Sequence, residues 1–443
     1  MRSRPRISVA LASFAPLAAF VFVLGSWLRP ATAQLLGPEF QVNSYTTGDQ
    51  NQPVVAAGSA GNFVMAWSSV SQDGSGDGVF GQRFDSTGNP VGSEFQVNTY
   101  TTSNQTNPAV AAGAAGNFVV VWDSYGQDGA SRGVFGQGLD SGGNPVGSEF
   151  QVNSYTTSFQ DRAAVAADGL GNFVVAWMSY TQDGSNWGVF AQRVDSVGSP
   201  VGSEFQVNSY TTFYQWSPAV AADALGNFVV VWASGNQDGS LSGVFGQRFD
   251  SAGSPVGSEF QVNTYTTNYQ RVPAVAGDGA GNFVVAWQSF GQDGSGEGIF
   301  GQRFDSAGSP VGTEFEVNSY TTNAQGYPAV AADGAGNFVV VWESNGQDGS
   351  SFGMFGQQFD SAGSPVGSEF QINAYTTDAQ ASSAVAVDGT GNFVVAWNGD
   401  SQDGSGRGVF GQRLRNSIFL DDFETGTVCA WSAAVGSGDT CPP

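Results

Sequence analysis

Seven near-identical units follow one another along this 443-residue chain at a constant spacing. The register is marked by Trp67, Trp122, Trp177, Trp232, Trp287, Trp342 and Trp397. A second set repeats it: Glu39, Glu94, Glu149, Glu204, Glu259, Glu314 and Glu369. Self-similarity at a fixed period of this size constrains a chain more than its composition does. One unit cannot bury its apolar face alone, so neighbouring units must stack into a solenoid, a closed ring or an array.

The fifth complete unit shows what is being stacked. Four short strands are expected: strand A at Ala274–Ala276, B at Phe283–Trp287, C at Ile299–Phe304 and D at Glu314–Val317. Asp278-Gly-Ala-Gly-Asn282 and Asp305-Ser-Ala-Gly-Ser-Pro310 are the turns, with Asp capping its own backbone and Gly free to take positive φ. A longer loop spans Gln288 to Gly298. Strand B is rich in Val and aromatics, which fit a pleated surface. It reads F-V-V-A-W or F-V-V-V-W without polar alternation, as a strand buried on both faces does. Strand A is alanine-rich, which suits a crowded axis. Four antiparallel strands repeated seven times predict an all-β, seven-bladed β-propeller.

The ends of the array point to how the ring closes. The chain enters with a lone D strand, Glu39–Asn43, and leaves with an A, B and C set, Ala384–Leu414, that lacks a D strand. The expectation is that Glu39–Asn43 completes the seventh blade. Closure removes sheet edges that would otherwise invite aggregation. An open array of sandwiches would leave both end pieces without partners. The propeller then spans 34–415, between a leader at 1–33 and a tail at 416–443.

The leader reads as a secretory signal peptide. Arg2, Arg4 and Arg6 form the basic start, an apolar stretch runs from Ile7 to Leu28, and Ala31-Thr-Ala33 is the small-residue cleavage site. A secreted or cell-surface protein is expected, with no membrane span after cleavage, and a monomer; a retained membrane anchor is the rival reading of the leader. The formal net charge is −24 and there is no histidine. Such acidity argues against nucleic acid as a partner, because phosphate binding needs basic residues. Cys429 and Cys441 are the only two cysteines. In a secreted chain they are expected to form one disulfide. The tail around Asp422-Phe-Glu-Thr-Gly426 and Ala430-Trp-Ser432 resembles a short C-terminal segment of many secreted bacterial proteins.

Strand direction alternates within a blade, so the A–B and C–D turns share one face of the disc and the B–C and D–A loops share the other. The first set hardly changes among copies, whereas the second varies. Binding function tends to sit on variable loops held by a rigid frame. Aromatics gather there, and Trp216, Tyr214, Phe213, Tyr269, Trp187 and Tyr180 are the candidate stacking platforms for a sugar. The aspartates of the constant Q-D-G run, Asp73 to Asp403, read as Asx-turns. Asp77 and Glu297 give the first and fifth copies an oxygen-rich loop suited to calcium. Arg132 and Arg407 occupy the same place in other copies, so no cofactor is expected, with calcium at those two blades as the alternative.

Without histidine, the usual general bases and serine triads are missing. Paired carboxylates remain. Asp123 and Glu343 follow the strand-B tryptophan in blades two and six, which are not neighbours. The expectation is therefore a non-enzymatic module that recognises extracellular glycan or protein. A structural or adhesive repeat protein is the second reading, and a carboxylate-based glycan-active enzyme the third. The D-G-x-G-N-F-V-V-x-W unit resembles the D-x-x-G-N-x-x-V-A-D hairpin of NHL-type propellers. It is similar also to uncharacterised tandem repeats of secreted bacterial proteins. That resemblance implies the fold and no site residue.

Overall fold

The computed structural model describes residues 34–113 and 116–416. The leader and the tail with Cys429 and Cys441 lie outside the described residues. Seven antiparallel sheets form, one per blade. In blade five strand A is Gln270–Gly277, B is Phe283–Phe290, C is Glu297–Phe304 and D is Pro310–Glu316. The other blades repeat this order, and the seven-bladed ring expected from the period is the fold observed.

The strands are longer than the pattern suggested, and the difference has a local cause. Strand A begins earlier, at Gln270, but its register shifts between Arg271 and Ala274. Val272 is the extra residue, held at φ 51°. A bulge of this kind breaks the period of 2 and admits Pro273, because strand A is an edge of its sheet. The bulge recurs at Gln52, Asn107, Arg162, Ser217, Tyr327 and Ser382, all with positive φ. Strand D likewise starts at a proline, on the other edge. Strands B and C reach further into the B–C loop than expected, pairing as far as Phe290 and Glu297.

The core lies between blades. Val119 and Val121 of strand B in blade two pack against Phe173, Val175 and Trp177 of blade three. Phe118, Val120 and Trp122 on the other side of the same strand pack against Val64 and Ala66 of blade one. Alternate residues thus serve opposite neighbours, which is why strand B carries no polar position over this run. All seven strand-B tryptophans are fully buried.

Closure occurs where the ends of the array predicted. Gln34–Leu35 and Phe40–Gln41 pair with the last strand, Arg407–Arg415, in registers such as Phe40↔Gly411. Asn43 Oδ1 accepts the Val409 amide at 2.7 Å, as Asn98 does for Val79 within blade one. Val394, Ala396 and Val409 then share one core with Phe63, Met65 and Trp67 of blade one.

Candidate functional site

Beneath the D–A and B–C loops lies a layer that repeats blade by blade. In blade one Asn98 Oδ1 accepts the Val79 amide, and its Nδ2 donates to Gln105 of the next blade at 3.1 Å. Glu94 accepts from the amide and hydroxyl of Ser44 at 2.6 and 2.9 Å, tying the D–A loop to strand D. In each of the seven Q-D-G runs the aspartate Oδ1 accepts the amide two residues on, from Ser75 to Ser405. These are the Asx-turns read from the sequence.

On this layer stand the residues that differ between copies. The first residue of strand C in one blade meets the second residue of strand A in the next. Between blades two and three these are Arg132 and Asp161, whose guanidinium and carboxylate lie 3.4 Å apart. Between blades three and four the same positions carry Trp187 and Trp216. Between blades seven and one they carry Arg407 and Asn51, 3.4 Å apart.

Two acidic groups meet at the blade two–three junction. Asp123, on strand B of blade two, is buried and accepts from Asn107 Nδ2 at 2.7 Å and from the Arg162 amide at 3.1 Å. Burial, and next the charge of Asp161, push its carboxyl up to about 7. Asp161 is raised as well, by burial, against the pull of Arg132 and Arg162. Its side chain remains 11% exposed, so it is the member of the pair nearer to solvent. Both carboxyls are thus displaced in the same direction, and in both cases burial is the largest cause. Glu343 of blade six occupies the place of Asp123 and accepts the Ser382 amide at 2.5 Å. Burial pushes it up to about 7, with no carboxylate among the causes.

The expected aromatic residues do not form one cluster. Tyr180 and Trp187 pack with ring centres 5.2 Å apart, and Phe159 joins Trp187 at 6.3 Å. Phe159 also bridges to Arg132, so this group borders the Asp123–Asp161 junction. Tyr214 and Trp216 meet edge to face at 6.5 Å in the adjoining blade, with Phe213 exposed beside them at φ 64°. Tyr269 stands apart, one blade further round, beneath the Arg271 guanidinium at 5.6 Å. Asp161 escaped notice in the sequence because it is one of the variable D–A positions. Its pairing with Asp123 exists only once adjacent blades are docked.

No family model matches the sequence, and no curated protein does. Similarity appears among solved structures. A protein of unknown function from Dyadobacter fermentans aligns at a TM-score of 0.51 and 9% identity, over 86% of this chain and 99% of that one. The α-L-arabinanase of Penicillium chrysogenum gives a TM-score of 0.45 at 13% identity, over 88% of this chain and 100% of that one. The NanB sialidase of Streptococcus pneumoniae gives 0.47 at 9%, over 86% and 70%. At such identities the likeness is one of fold. The expectation of a non-enzymatic recognition module is nevertheless corrected. Beneath the loops of this ring lie acidic groups, Asp123 and Glu343, whose carboxyls are pushed up to about 7 by burial. The absence of histidine removes histidine-based chemistry only.

Proposed function

We propose that the protein is a carboxylate-based glycan-cleaving enzyme whose centre lies at the junction of blades two and three. The observation that supports it most is the Asp123–Asp161 pair beside the Phe159, Tyr180 and Trp187 rings. Buried carboxyls shifted toward neutral pH are the groups that transfer protons in glycoside hydrolysis. In this reading Asp161 donates a proton to the glycosidic oxygen as the bond from that oxygen to the anomeric carbon breaks, and water adds to the anomeric carbon, its released proton restoring Asp161. Asp123 behind it, held by Asn107 Nδ2 and the Arg162 amide, is the positioning residue of the junction. Arg132 fixes the Asp161 carboxylate. Trp187 and Tyr180, with Trp216, Tyr214 and Phe213 on the next blade and Tyr269 further along, offer flat apolar faces to successive sugar rings. An extracellular polysaccharide is the substrate class, and secretion of the chain through the leader-like segment 1–33 belongs to the same proposal.

The test is release of reducing ends from a panel of neutral and acidic polysaccharides by residues 34–443. Turnover is expected for at least one family of glycan. It should fall about 100-fold or more in Asp161→Asn, the usual range for a lost proton-transfer group. Trp187→Ala is expected to raise KM with kcat little changed. Turnover of no glycan, or full activity in Asp161→Asn, would overturn the proposal.

A further inference from the structure

The constant B–C loop encloses a small polar nest in every blade. In blade one its oxygens are Ser69 Oγ, Gln72 Oε1 and Asp73 Oδ2, each buried and with no hydrogen-bond partner in the protein. The same three atoms recur in that condition at Ser124, Gln127 and Asp128, at Ser179, Gln182 and Asp183, and at Ser234, Gln237 and Asp238. The four serines are completely buried.

Geometry places these groups around the same strand B–strand C pair. Ser69 lies directly opposite Gly78 across the strand B–strand C pair, so both project to the same face. A Cβ on Gly78 would fall 2.8 Å from Asp73 Oδ2, and the corresponding glycine–aspartate approach is 2.5–2.8 Å in all seven blades. Blade seven supplies the third member, because Gly399 stands where the serine would be. A Cβ there would lie 2.6 Å from Gln402 Oε1. Amide donors also reach the nest. Asn373 Nδ2 comes within 3.4 Å of Asp348 Oδ2 in blade six, and Gln270 Nε2 within 3.4 Å of Ser289 Oγ in blade five. The tryptophan two residues before the serine lies on the same face of the strand. Its indole N–H has no partner in any of the seven blades.

Buried polar groups are satisfied by protein or by ordered water. A cation would suit the three oxygens, but the side-chain amide N–H groups that reach the nest in blades five and six would repel it. One small molecule that both donates and accepts satisfies the mixture. We propose that each of blades one to four holds one internal water in this nest, bridging the B–C loop to strand B. Such waters make about three hydrogen bonds to otherwise unsatisfied groups and are costly to remove. A shared water gives a physical reason for the recurrence of W-x-S in six blades and of Q-D-G in all seven beneath tips that vary. Serine, glutamine and aspartate each supply one wall of the same cavity.

The experiment is a crystal structure of residues 34–443 at a resolution that shows ordered water. Protein with and without prior chelator treatment is compared, with metal content measured on the same preparations. One density peak is expected in each of the nests of blades one to four. It should lie at about 2.7–3.1 Å from the aspartate oxygen, as a hydrogen bond requires, and survive chelation. In Ser124→Ala the peak of blade two alone should weaken or move. Nests without density would overturn the proposal. So would a peak at about 2.3–2.6 Å accompanied by stoichiometric metal, which would make the occupant a cation.

Discussion

The two faces of the disc are made from the same seven units and follow opposite rules. On the A–B and C–D face the same contacts recur in most blades. In blade one Asp85 Oδ1 accepts from the Thr87 hydroxyl at 2.7 Å and from the amides of Thr87 and Asn89, both at 2.9 Å. These bonds, the Thr87 hydroxyl foremost, hold its carboxyl well below the usual range. Asp195, Asp250 and Asp305 close the equivalent turns through the same backbone amides. Arginines at the end of strand C then clasp the next blade: Arg83 donates to the Ser141 carbonyl, Arg193 to Ala252 and Arg413 to Thr87, at 2.8–2.9 Å. On the other face one pair of equivalent positions holds Arg132 and Asp161 at one junction and Trp187 and Trp216 at the next. Here carboxyls are raised rather than lowered. Acids in open turns with several donors are stabilised as anions. Acids pressed between blades with few donors are not. Repetition builds the frame, and departures from it create chemistry.

The largest expected effect separates the faces outright. Asp161→Asn should remove glycan turnover, whereas Asp195→Asn, in a C–D turn of blade three, should leave kcat unchanged and only lower stability. Steady-state rates for the two variants, side by side, check this. Equal losses would erase the distinction between frame and site.

Next in size is the pH dependence of stability. The folded carboxyls of Asp123 and Glu343 are pushed up to about 7, against about 4 in an unfolded chain. Between those values the native state holds more protons than the unfolded state, so unfolding free energy falls as pH rises from about 4 to about 7. Urea titration is expected to give a higher unfolding free energy at pH 5 than at pH 8, by on the order of a few kcal/mol in total. General repulsion in so acidic a chain acts in the same direction. Asp123→Asn isolates the local part, and its stability should change less with pH than that of the parent. Identical slopes would show that burial of Asp123 is not felt.

Smaller again is the clasp at the closing junction. Arg413→Ala removes its bonds to the Ser86 and Thr87 carbonyls. A loss of about 1 kcal/mol is expected, read as a melting temperature lowered by roughly 1–3 °C in a domain of this size, with activity unaffected. The smallest effect is at the bulge of strand A. Val272 is β-branched and sits at φ 51°, a conformation disfavoured for such side chains. Val272→Gly should raise stability by a few tenths of a kcal/mol, the relief of strain being partly offset by the greater freedom of glycine in the unfolded chain. Chemical denaturation resolves this, and a destabilised variant would mean that Val272 contributes packing rather than strain.

Much of the frame could be read from the chain alone. A constant period, four strand-like runs within it and a D strand separated from its blade by the whole ring led to a closed propeller. Each of those signals is local, or is a repetition of something local. Strand ends were less legible, because the bulge at Val272 and its equivalents interrupts the alternation that marks a strand. At the candidate site the sequence directed attention to Trp187, Tyr180, Trp216 and Asp123. It offered Asp123 no partner, since the only other acid at that place in the repeat, Glu343, belongs to a blade that is not a neighbour. The true neighbour, Asp161, belongs to a different strand of a different unit.

What the sequence determined by itself was the number of blades, the order of their strands and the closing of the circle, because periodicity and turn chemistry act within a unit and copy themselves. What only the tertiary structure decided was which variable side chain faces which. That depends on how strand B and strand C of one blade lie against strand A of the next. Docking buries Asp123 beside Asp161, and burial is what lifts both carboxyls above their ordinary range.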